Sequence, residues 1–113
     1  MAEAFANHYG SDVLRASSAG LAPAVALSPF TRKVMLEKNV DMGNHLPRPL
    51  DDVDIRNVDL IVNMSGYALP GMQTIDWLVA DPYGGPVEGY RSARDKIELN
   101  VMNLILRMRS RKI

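Results

Sequence analysis

Apolar positions recur along the chain with helical spacing in some stretches and as short unbroken runs in others. From about Val87 nearly to the end, Tyr90, Ile97, Val101, Leu104, Ile105 and Met108 form one stripe, which predicts a long helix. Arg107, Arg109, Arg111 and Lys112 fall in its last turns, where cations favour the helix dipole. Ala2 to Tyr9 is alanine-rich with Glu3 near its start and predicts a short helix; no residue precedes Met1 in the sequence to cap it, and Gly10 ends it. Ser28-Pro29 opens a second short helix, because serine accepts from first-turn N–H groups and proline has none to lose. Its inner face is predicted as Phe30, Val34 and Met35, and Asn39 suits a left-handed stop.

The short apolar runs predict strands. Val58 to Met64, with Leu60-Ile61-Val62 continuously apolar at its centre, reads as a strand covered on both faces. Thr74 to Val79 is a second strand and Val13 to Ala19 a third, ended by Gly20. Residues 21–28 and 41–50 read as loops, and Asp51 is expected to cap a short helical turn with Asp54 in its first turn. Asp81-Pro82-Tyr83-Gly84-Gly85-Pro86 is a turn-rich loop. The order helix, strand, helix, turn, strand, strand, helix indicates one α/β domain over residues 1–113, with a layered sheet and helices on both faces.

Composition narrows the chemistry. Thirteen basic and thirteen acidic residues leave a formal net charge of zero, which removes the electrostatic case for a nucleic-acid or anionic-membrane partner. Cysteine is absent, so these residues supply no disulfide, thiolate metal site or cysteine nucleophile. No apolar run approaches the roughly 20 residues of a membrane span, and Met1 to Gly10 lacks the pattern of a secretory signal; a cytoplasmic location is the expectation. His8 and His45 read as surface or capping residues and no metal or cofactor is assigned. Trp77 reads as core.

Met1-Ala2-Glu3-Ala4, Ser18-Ala19-Gly20, Asn39-Val40-Asp41 followed by Asn44-His45, Val58-Asp59-Leu60-Ile61-Val62 and Asp81-Pro82-Tyr83 occur in that order. Together they resemble the low molecular weight protein tyrosine phosphatases and the related thioredoxin-linked arsenate reductases, over essentially the whole chain. The resemblance implies a three-layer parallel-sheet phosphatase fold. It also implies that Met1 corresponds to an internal methionine, with the family's first strand and its phosphate-binding loop of cysteine, five residues, arginine and serine or threonine outside these residues. A sheet without that strand is expected to be rearranged or to pair Val13–Ala19 and Val58–Met64 with a second copy in a homodimer.

By the same resemblance, Asp81 is the catalytic acid that protonates a leaving phenolate and then activates water, Tyr83 lines the substrate cleft, and Ser18 hydrogen-bonds the phosphate loop. The implied substrate is a phosphotyrosine-type aryl phosphate monoester. Each residue also has a plainer reading: Asp-Pro forms ordinary turns, an aromatic covers an apolar edge, and serine at a strand end bonds locally. The reductase branch needs further cysteines for a disulfide relay; one would fall in Asn63-Met64-Ser65-Gly66, where Ser65 stands, so the resemblance favours the phosphatase branch. Without a thiol the chain is expected to be inactive, and a non-catalytic interaction module is the reading from a different class.

Overall fold

A computed structural model describes residues 1–20, 28–43, 45–50 and 55–111. The elements are α1 (Ala2–Tyr9), α2 (Pro29–Leu36), a 3-10 turn (Ile55–Asn57), β1 (Ile61–Asn63), β2 (Thr74–Asp76) and α3 (Val87–Arg111). The expected loop at 21–27, the Asp51 cap, Asp54 and Lys112 lie outside the described residues. β1 and β2 form a parallel two-stranded sheet, with Ile61 opposite Thr74, Val62 opposite Ile75 and Asn63 opposite Asp76. The chain is α/β, as expected.

The long helix is the spine. Tyr90, Ala93, Ile97, Val101 and Ile105 are buried along one stripe of α3, against which both α1 and α2 pack. Phe5, Met35, Val34 and Ile105 are the largest fully buried side chains, and Val40 and Met42 join Phe5, Met35 and Ile105 in one cluster. Burial of each such large side chain contributes about 1.5–3 kcal/mol. The Phe5 ring stacks on Tyr9 with centroids 5.8 Å apart.

Helix ends follow local chemistry. The Ser28 hydroxyl accepts from the Phe30 N–H at 3.2 Å, and Asn39 takes the left-handed conformation, φ 60°, just past α2. Met1 provides no side-chain cap to α1. Gly10 ends α1 for a different reason from a left-handed turn, since its φ is −124°. A β-carbon there would lie 2.8 Å from both Cδ1 and Cγ1 of Ile105, so glycine is what lets α1 approach α3.

Four expectations are corrected. Val13–Ala19 forms no strand. Val13 and Leu14 both donate to the Gly10 carbonyl in a turn, and the Asn7 side chain makes both backbone bonds of Ala16, accepting from its N–H at 2.8 Å and donating to its carbonyl at 2.9 Å. Among the described residues, the ladder contact nearest the segment is an isolated parallel bridge from Gly20, the residue after it, to Pro49.

The strand at Val58–Met64 is shortened to Ile61–Asn63 and is not covered on both faces: Leu60 is 36% exposed and Ile61 and Val62 are half-buried. Among the described residues only β2 lies beside it, and β2 itself spans Thr74–Asp76 rather than running to Val79. Trp77 N–H adds one bond to the Asn63 carbonyl at 3.0 Å. Finally, Phe30 is 41% exposed, and Thr31, Val34 and Met35 form the buried face of α2. The Phe30 ring packs edge-on against Tyr90 instead, with centroids 5.4 Å apart.

Ion pairs join α2 to α3. Arg94 is 7% exposed; its guanidinium donates to the Val34 carbonyl at 3.0 Å, to Glu37 at 2.6 Å and to Asp95 at 2.9 Å. Arg91 also grips Glu37, with bonds of 2.8–3.1 Å, and pairs with Glu88. Hydrogen bonding from Arg91, reinforced by Arg94, lowers the Glu37 carboxyl from 4.5 to about 2. At the other end of α3, Arg109 holds Asp12 with two bonds and donates to the Tyr9 carbonyl at 2.7 Å.

Two outcomes are expected. Because the folded-state carboxyl of Glu37 titrates below its unfolded value, its contribution is complete above about pH 4.5 and is lost as pH falls toward 2. Thermal unfolding followed by circular dichroism should show Glu37→Gln reducing the midpoint at pH 7 but converging with the unsubstituted protein near pH 2. Gly10→Ala should destabilise by about 1–3 kcal/mol in urea unfolding, because Ile105 is fully buried and has little room to yield.

Candidate active site

β2 leads through an extended segment, Trp77 to Ala80, into the turn that carries Asp81. One carboxylate oxygen of Asp81 accepts from the Tyr83 N–H at 3.0 Å, and Gly85 N–H donates to the Pro82 carbonyl at 3.0 Å. Gly84 has φ 80°, a conformation that favours glycine. The turn-forming and site-forming readings of Asp81 are therefore compatible: one oxygen shapes the loop, and the carboxylate has no ion-pair partner among the described residues.

Asp81 and Tyr83 line one cleft of about 500 Å³, together with Trp77, Leu78, Met64 and Tyr90. Tyr83 is 77% exposed and Leu78 88%, while Tyr90 forms part of the buried floor. Trp77, expected in the core, is half-buried: it packs against the core cluster on one side and borders the cleft on the other. Asp81 is the one carboxylate among the cleft's described lining residues, and none of them is a lysine, arginine or histidine.

Ser65 and Gly66 of a hydrogen-bonded bend also line the cleft. The buried Asn63 accepts from the Ser65 N–H at 3.0 Å and the Ser65 hydroxyl at 2.7 Å, and donates to the Tyr67 carbonyl at 2.7 Å. Tyr67 N–H donates back to the Ser65 oxygen at 3.1 Å, and Gly66 takes φ 80°. This side-chain-built loop holds Ser65 beside the cleft.

Ser18 is elsewhere: it does not line the Asp81 cleft. Its hydroxyl donates to Glu3 at 3.0 Å and its carbonyl accepts from Arg48 at 2.9 Å. The other carboxylate oxygen of Glu3 lies 3.2 Å from His45 Nδ1, so Glu3 ties the start of α1 to two loops. Glu3, His45, His8 and Asn7 border a second cavity of about 330 Å³. The Glu3–His45 contact was not read from the sequence, where the two residues are distant; only the helical first-turn position of Glu3 hinted at a role. His8 is exposed, with its ring edge-on to Tyr9 at 5.0 Å. Among the described residues, no group of three or more His, Asp or Glu side chains is placed to hold a metal.

Asn63→Ala should cost about 1–3 kcal/mol, since it removes three hydrogen bonds that close the bend, to the Ser65 N–H, the Ser65 hydroxyl and the Tyr67 carbonyl. Amide hydrogen exchange should quicken at Ser65 and Tyr67 in that variant, while the α3 amides keep their protection.

Comparison with known proteins extends these observations. The family model described as low molecular weight phosphotyrosine protein phosphatase matches residues 1–112. The chain is 28% identical to the glutaredoxin arsenate reductase of Synechocystis sp. over 115 aligned positions, covering 96% of this chain and 87% of that protein. Among solved structures, an arsenate reductase in the phosphate binding state superposes with a TM-score of 0.86 at 25% identity, covering 95% of this chain and 86% of that one. The arsenate reductase of Archaeoglobus fulgidus gives a TM-score of 0.81 at 28% identity, over 92% and 86% of the two chains. The agreement spans α1 through α3 and takes in the segment that carries Asp81 and Tyr83: the chain belongs to the low molecular weight phosphotyrosine protein phosphatase family.

Proposed function

We propose that the chain carries the acid side of a site for hydrolysis of aryl phosphate monoesters, and that these 113 residues do not complete the reaction by themselves. The observation that carries this reading is the placement of Asp81 as the one carboxylate among the described residues lining a cleft walled by Trp77, Tyr83 and Leu78. An aromatic leaving group fits such walls, and a carboxylic acid at their edge is the group that protonates a departing phenolate. Tyr83 is the exposed aromatic that lines the aryl side. Ser18 supports the phosphate-binding loop, and the Glu3–His45 pair bears on its orientation: with the Ser18 proton committed to Glu3, the hydroxyl oxygen is left to accept.

Hydrolysis of this type in the family passes through a phosphocysteine. The sequence contains no cysteine, so Asp81 has no thiolate intermediate to assist. A second reading is favoured by the relatives themselves, several of which are arsenate reductases. That chemistry needs thiols for disulfide exchange, and the hydroxyl of Ser65, bonded to Asn63, cannot supply one. Partner binding without turnover is the reading that needs neither thiol.

Para-nitrophenyl phosphate hydrolysis should stay at background. A rate typical of the family that Asp81→Asn abolishes would overturn the claim of inactivity while supporting the role of Asp81. Arsenate-dependent oxidation of a supplied dithiol above background would instead favour the reductase reading.

A further inference from the structure

We propose that Leu78 is a specificity-determining residue of the Asp81 cleft, and that the aryl phosphate ester it favours is a phosphotyrosine in an extended peptide whose flanking residues are large and aliphatic. The inference rests on the hydrolase reading of the cleft and narrows its substrate class from any aryl ester to one carried by a peptide.

Local structure turns Leu78 outward. Between β2 and the Asp81 turn the chain alternates as a strand does: Trp77 and Val79 pack against the core cluster, while Leu78 and Ala80 are exposed. Leu78 is 88% exposed, more than any other large apolar side chain of the described residues. The segment is held at both ends. The Trp77 N–H donates to the Asn63 carbonyl at 3.0 Å, and the Tyr83 N–H donates to the Asp81 carboxylate at 3.0 Å. Leu78 is thus presented from a backbone fixed on either side, which limits the ordering cost of a contact made there.

A single exposed leucine needs no explanation, but Leu78 is not isolated. It shares the lining of the cleft with Tyr83, 77% exposed, and Asp81 lies between them in the chain. Large apolar side chains exposed together beside a polar group mark a surface that another molecule covers. The leaving group that Asp81 serves selects that molecule. A small aryl ester ends at its ring. A phosphotyrosine continues into a backbone, and in an extended peptide the neighbours of an inserted side chain turn to the opposite side. Those neighbours lie along the mouth of the cleft, where Leu78 is exposed, and not inside it. An aliphatic neighbour there removes apolar surface of both partners from water, and alanine removes less.

Because turnover is expected at background, binding is read at equilibrium. Trp77 is the single tryptophan of the chain and lines the cleft, so its fluorescence follows occupancy, with binding heat as a second signal. The full chain is titrated with acetyl-Leu-phosphotyrosine-Leu-amide, the corresponding alanine phosphopeptide, the unphosphorylated leucine peptide and phenyl phosphate. The leucine phosphopeptide is expected to bind about fivefold more tightly than the alanine one, the size of one partly buried aliphatic contact. That preference should vanish in Leu78→Ser and persist in Leu78→Met, and circular dichroism should report both variants as folded, because the side chain is exposed. The proposal is overturned if the two phosphopeptides bind alike, or if folded Leu78→Ser keeps the preference. It is equally overturned if the unphosphorylated leucine peptide binds as tightly as its phosphorylated form. Equal binding of the two phosphopeptides sinks this proposal and leaves the hydrolase reading standing, whereas no saturable binding by any phosphorylated ligand overturns both.

Discussion

Burial of the α3 stripe is the interaction on which the rest depends. Val101 and Ile105 sit among Phe5, Ala6, Met35, Val40 and Met42, so one helix supplies the surface against which α1 and the end of α2 are held. The two-stranded sheet is too small to organise a domain alone, since short strand pairs are marginal in water without packing partners. Arg94 adds direction to this apolar contact. Its buried guanidinium reaches the Val34 carbonyl and Glu37, which sets how α2 lies along α3. Gly10 sets the corresponding distance for α1, because Ile105 occupies the space where a side chain would begin.

Side-chain amides take over where backbone ladders stop. Asn7 bonds both polar groups of the Ala16 backbone, as a neighbouring strand would. Asn63 closes the 63–67 bend in the same manner from a buried position. Both satisfy the requirement that ordered backbone groups find partners. Asn63 has the further effect of fixing one wall of the cleft, because the chain leaves β1 and turns at once under its control.

The Asp81 loop combines a local turn contact with a place on the cleft. Its Tyr83 contact belongs to the ordinary vocabulary of turns, yet the same turn sets the carboxylate at the edge of an aromatic cleft. Ser18 stands apart, bonded to Glu3 and through it related to His45, so the family-matched residues divide between two surfaces. Glu3 reaches both a loop serine and a loop histidine from the first turn of α1, where a carboxylate is also favoured by the helix dipole.

The sequence by itself determined the three helices, the left-handed stop at Asn39, the turn at Asp81 and the family, because helical periodicity, capping chemistry and ordered motifs are local properties of the chain. That Asp81 and Tyr83 fall on one cleft follows from the same locality, because they share one short motif. Only the tertiary structure decided that Val13–Ala19 is not a strand, since an apolar run becomes one only beside a ladder partner and Asn7 supplies a different one. It also decided that Phe30 leans on Tyr90 at the surface, that Trp77 borders a cleft, and that Glu3 meets His45. Those facts depend on contacts between residues far apart in the chain, and periodicity carries no record of which distant surface a side chain will meet.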